Sequence, residues 1–148
     1  MKQVSAVPDT MSVEGEPSSP ILTDAEVDRV LSIASVGEVR RDFELMGHHF
    51  TMHALSEREL IEVSSYSAAF SGTRAGNMAF RMYAVAAAID LVDGKPLYQP
   101  LSPSEEDTLA KRGDEIGKWY PAVVDALYSE YVDITRESDS LIDKLKKS

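Results

Sequence analysis

Apolar residues crowd most densely between Asn77 and Leu91, NMAFRMYAVAAAIDL, where Arg81 and Asp90 are the only charges. A helix built from this stretch is apolar on most of its sides, which places it inside a core or a bilayer. At about 15 residues it is shorter than the roughly 20 that a bilayer crossing needs. We therefore expect the central helix of a folded domain, with the flanking segments packed around it.

Those segments read in order. Thr23-Asp24-Ala25-Glu26 has the spacing of a capping box, and Val27, Val30, Leu31 and Ala34 follow on one stripe up to Gly37. The period then changes from helical to alternating. Arg41-Asp42-Phe43-Glu44-Leu45 and Phe50-Thr51-Met52-His53-Ala54 flank Met46-Gly47-His48, which predicts a β-hairpin over about 41–54. Two strands are marginal alone, so the hairpin must rest on helices or pair with another chain. Ser56-Glu57-Arg58-Glu59 opens a second capped helix, running to about Phe70 with Leu60, Val63, Tyr66 or Ser67, and Phe70 on its stripe. The central helix follows this one as an antiparallel partner. Asp93-Gly94 stops the chain, and Lys95–Pro100 is an extended connector. Ser102-Pro103 predicts a third helix, polar on most sides and ending near Gly117. Trp119 and Tyr120 occupy the next link as packing anchors.

Pro121 begins the last helix, expected over about 121–146. Val124, Leu127, Tyr131, Ile134, Ser138, Leu141 and Leu145 keep a spacing of three and four, a heptad seam with Ser138 as its polar break. The lysines at 144, 146 and 147 complement the negative end of its dipole. The seam is longer than a small domain requires. Its first half is expected on the central helix; its second half either docks on the same domain or meets a partner. The fold class is mainly α with an α+β layout: a helical domain, an N-terminal β-hairpin packed on a central helix pair, and a long C-terminal helix.

Composition narrows the function. The 148 residues fit one helical domain over 22–148 behind a leader or arm over 1–21, where Pro8, Pro17, Pro20 and several serines offer little to bury. Without cysteine, disulfides, thiolate metal sites and a cysteine nucleophile are excluded. A net charge of −10 argues against nonspecific nucleic-acid or anionic-membrane binding, both of which need a basic surface. The leader lacks the basic-then-apolar order of a secretory signal.

Candidate chemistry is sparse. His48, His49 and His53 cluster in the hairpin, and His49 and His53 share a strand face. A metal site needs further ligands and a supporting shell, and no run of suitable spacing stands beside them, so they read as polar hairpin surface. The loop Ser71-Gly72-Thr73-Arg74-Ala75-Gly76 precedes a helix but lacks the Gly-Lys-Ser/Thr of a phosphate loop. No nucleophile elbow, zincin helix or dinucleotide fingerprint is present. The carboxylates read as solvated faces and caps. No catalytic, metal or cofactor residue is expected, and the chain reads as non-enzymatic.

The order of elements resembles a known group. A hairpin ending in Phe50-Thr51-Met52-His53-Ala54-Leu55 leads into Ser56-Glu57-Arg58-Glu59-Leu60. Then come an Ala-rich helix, Val92-Asp93-Gly94-Lys95-Pro96-Leu97, and a helix containing Val123-Val124-Asp125-Ala126-Leu127-Tyr128. Over about residues 39–148 this is similar to the small tail assembly proteins of bacteriophages, notably tail assembly chaperones and baseplate hub-assembly proteins. The resemblance implies a protein without catalysis or cofactor that binds tape-measure, tube or hub proteins in the host cytoplasm. It otherwise implies a structural subunit kept in the virion tail or baseplate. Either role needs an apolar face shown to another chain and an acidic surface for solubility. The residues expected to form that face are Phe43, Phe50, Tyr131, Ile134, Leu141 and Leu145. A helical adaptor or regulator unrelated to phage, self-associating through the same seam, is the alternative.

Overall fold

The computed structural model describes residues 23–26, 33 and 35–147. The chain falls into two units, Met1–Val36 and Gly37–Ser148. In the first, the predicted capping box is formed. Thr23 Oγ1 accepts from Glu26 N at 3.2 Å, and Glu26 accepts from Thr23 N at 3.0 Å. The stripe Val27, Val30, Leu31 and Ala34, like the expected leader or arm, lies outside the described residues.

The second unit is a mixed α+β domain. Its elements are β1 (Arg40–Leu45), β2 (His48–His53), α1 (Glu57–Ser67), a 3-10 turn (Ala68–Phe70), α2 (Ala75–Ala88), β3 (Ile89–Val92), α3 (Leu109–Ile116) and α4 (Pro121–Lys146). The hairpin forms in the register Arg40↔His53 to Leu45↔His48. Its turn is shorter than predicted, because His48 belongs to β2 and only Met46 and Gly47 are left to turn. Both have positive φ, 54° and 82°, as a type I′ hairpin turn demands, and glycine meets that demand without steric cost.

The central helix is correctly placed but ends early. Its backbone leaves the helical region at Ile89 (φ −74°, ψ 119°), and Ile89–Val92 becomes a third strand instead of a last helical turn. The sheet order is β1-β2-β3, with Phe50↔Val92 and Thr51↔Leu91 paired and a register shift before Met52↔Ile89. The physical reason is tertiary. A bare β2 would leave a row of backbone groups without partners, and the β-branched Ile89 and Val92 suit a strand once that edge is within reach. Asp93 closes the junction: its N–H donates to His49 O at 2.7 Å, and its carboxylate accepts from His49 N at 2.8 Å. The hairpin therefore pairs within its own chain.

α1 starts on the full capping box of Ser56 and Glu59, a feature that contributes about 1 kcal/mol. α3 corrects the sequence reading twice. It begins at Leu109, with Thr108 as the cap accepting from Lys111 N at 3.3 Å, and not at Ser102. The Glu105 carboxylate accepts from Leu101 N and from the Tyr98 hydroxyl, which holds the preceding residues in a turn. Nor is α3 mainly solvated, since Leu109, Gly113 and Ile116 are buried.

The core gathers around α2, which packs against α1, α3 and α4. Met52, Val63, Val85, Ile89, Ile116, Leu127 and Ile134 are fully buried. The alanines Ala84, Ala86, Ala87 and Ala88 are buried beside them, and their small side chains allow neighbours on several sides. Arg41 ties the hairpin to α4, with Glu137 at 2.6 Å and Glu130 at 3.6 Å. Ser138, the polar break in the seam, donates to the Gly37 carbonyl at 2.5 Å. No helix among the described residues is long and apolar enough to cross a membrane.

Candidate interaction surface

The predicted seam divides at Ser138. Leu127, Tyr131 and Ile134 are in the core, whereas Leu141 and Leu145 are 38% and 49% exposed. Tyr131 and Ile134, expected on a partner-facing surface, are therefore occupied by their own domain. Burial pushes the Tyr131 phenol above its ordinary value. Phe50, expected beside them, is also core, because β2 alternates Phe50 and Met52 inward. Phe43 is half-buried and stacks on Phe50 with ring centroids 5.7 Å apart. Of the six expected residues, Leu141 and Leu145 are the pair presented to solvent.

The histidines have more company than the sequence reading allowed. His53 is largely buried. Its Nε2 lies 2.8 Å from a Glu59 oxygen, and its Nδ1 lies 3.0 Å from Asp90 Oδ1 without hydrogen-bond alignment. Asp90 is also bound by Arg40 at 2.7 Å, and Arg40 reaches Glu38 at 3.3 Å. This chain of charges crosses β1, β3, β2 and α1. Desolvation works to raise the Glu59 pKa, but the Ser56 N–H and the His53 imidazole outweigh it and the net shift is downward. His48 Nδ1 contacts Asp93 Oδ2 at 2.7 Å. That contact and the His49 N–H hold the exposed Asp93 carboxylate below its usual value. Both ring nitrogens of His53 are turned to the protein's own carboxylates, an arrangement that fastens strands to a helix. Among the described residues, no group of three or more His, Asp or Glu side chains is placed to hold a metal ion.

Two apolar grooves meet at Trp119, which is packed against the core as expected, while Tyr120 beside it is 80% exposed. One groove, about 430 Å³, lies between the hairpin and the link into α4, lined by Leu45, Met46, Phe50, Val92, Trp119 and Val123. The other, about 400 Å³, lies between α2, the α3–α4 link and the start of α4, lined by Phe70, Met78, Met82, Ile116, Trp119 and Val124. Arg81 and Asp125 stand in its wall, paired through Nε at 3.0 Å. Sequence reasoning did not find this second groove. The available signal was a lone arginine in an otherwise apolar helix.

Comparisons with protein families, curated proteins and solved structures found no match to this chain.

Proposed function

We propose that this chain is a non-enzymatic assembly protein of the bacteriophage tail, acting by lending apolar helical surface to another polypeptide in the host cytoplasm. The observation that carries the binding mode is the exposed end of the α4 seam. Leu141 and Leu145 continue the spacing of the buried Leu127, Tyr131 and Ile134 but are 38% and 49% exposed. A helix-in-groove contact uses such a row of anchors. The phage assignment is supported by the order of elements over residues 39–148, now with a third strand in place of the last turn of the central helix.

The test is co-expression with tape-measure, tube and hub proteins, followed by capture of this chain. The wild type is expected to retain one of them, and L141D/L145D is expected to lose it while keeping its helical circular dichroism. Retention of no tail component by the wild type would refute the tail assignment. Loss of a homodimer in the double variant, with no tail protein captured by either form, would indicate the adaptor instead. Mass spectrometry of purified particles then separates a chaperone, which is absent, from a virion subunit present at fixed copy number.

A further inference from the structure

We propose that the groove between α2 and the start of α4 receives the carboxyl-terminal end of a polypeptide, with bulky apolar side chains in the groove and the terminal carboxylate on Arg81. The volume of about 400 Å³ is within the range of ligand-binding clefts, and such clefts combine apolar walls with a few convergent polar groups. The walls here are Phe70, Met78, Met82, Ile116, Trp119 and Val124. Two methionines in one wall supply flexible, polarisable side chains that adapt to varied apolar shapes.

Arg81 is the polar determinant. Among the described residues, three arginines are mostly buried along their side chains: Arg41, Arg81 and Arg112, at 31%, 33% and 20% exposure. Arg41 has both terminal nitrogens on carboxylates. Arg112 gives one terminal nitrogen to the Ile89 carbonyl and its Nε faces Asp107. Arg81 uses only Nε, on Asp125. Among the described residues its Nη1 and Nη2 have no partner, and that pair is the edge of a guanidinium that matches a carboxylate bidentately. Asp125 is the one anion in the wall. It occupies the opposite edge of the same guanidinium, so the cation can bridge two carboxylates.

The groove is open along one side, and its rim continues into exposed apolar surface at Met78 (53%) and Phe70 (39%). A small free acid would fill the groove and leave this rim bare; a polypeptide end covers both. Terminal-carboxylate capture is an established recognition mode. The proposal does not require the partner to be a tail protein.

Trp119 is the single tryptophan of the chain and lines the groove, so its fluorescence reports occupancy directly. Titrating the full chain with an acetylated Ala-Leu-Phe-Leu peptide as free acid is expected to change Trp119 emission. Its affinity should exceed that of the same peptide amidated at its end by about tenfold. R81Q should bring the acid down to the amide's affinity and leave the amide unchanged. D125N, which removes the competing negative charge beside Arg81, should tighten the acid further. Equal binding of acid and amide, or no binding of either, overturns the proposal. Octanoate binding more tightly than the peptide acid would overturn the polypeptide assignment in favour of a small amphipathic acid. None of these outcomes depends on Leu141 or Leu145, so they are independent of the tail-protein capture.

Discussion

Gly113 lies where α3 crosses α2, and its replacement tests how tightly that crossing is packed. A Cβ at this position would meet Tyr83 Cε1 at 2.5 Å and Cδ1 at 2.9 Å. Carbon atoms rest about 3.5–4.0 Å apart, so the ring must retreat by about 1 Å. The ring is not free to do so, because it stacks on Tyr66 with centroids 5.3 Å apart. Overpacking of this kind costs about 1–3 kcal/mol, and part of an aromatic contact worth about 0.5–1.5 kcal/mol is lost as well. Against this, Gly→Ala in a helix interior gains about 1 kcal/mol. The expected net effect of G113A is a destabilisation of about 1–2 kcal/mol. That amounts to a melting-temperature drop of roughly 4–9 °C for a domain this size. Urea unfolding followed by far-ultraviolet circular dichroism measures it. The decisive control is a Y83A background, where the clash is absent and G113A should become stabilising by about 1 kcal/mol. If G113A stabilises the wild-type chain, or the sign is unchanged in Y83A, the steric account of this crossing is wrong.

Glu59 has its pKa lowered from the ordinary 4.5, chiefly against the opposing pull of burial by the Ser56 N–H and the His53 imidazole. Its contribution is complete above the unfolded value and disappears as pH falls through the lower folded value. The stability of E59Q should therefore vary less steeply than that of the wild type below about pH 4.5 in urea titrations; parallel profiles would remove Glu59 from the acid response. The two halves of the α4 seam should separate by cost. I134A, at a fully buried site, should lose about 2–5 kcal/mol in urea unfolding. L145A should lose less than about 1 kcal/mol, and equal losses would mean that Leu145 is covered.

The elements governed by local rules were legible from sequence. The capping box at Ser56, the glycine turn of the hairpin, Pro121 at the start of α4 and the heptad spacing of its seam each state a local preference that the fold obeys. The errors arose where a distant partner decides. Nothing in IDLV itself distinguishes a last helical turn from a strand until the edge of β2 is beside it. The start of α3 depended on Glu105, whose carboxylate was spent on Leu101 N and Tyr98 and did not help open a helix at Ser102. Of the interaction residues, periodicity identified the seam but could not show where its cover ends. That boundary is set by the length of the domain packed beneath α4, and it left Tyr131 and Ile134 inside. The Arg81 groove was invisible because its walls come from α2, the link at Trp119 and α4, brought together only by folding.

The passage from α2 into β3 takes place with no intervening loop, between Ala88 and Ile89. Slack that most proteins keep between elements is missing there. One added residue would turn the helix by about 100° or swap the strand's two faces, and no connector is available to absorb the difference. Length at this point is thus as tightly specified as side-chain identity. Tolerance of insertion belongs to the long stretch between Val92 and Leu109, where the chain can lengthen without rotating the helix that the other elements enclose.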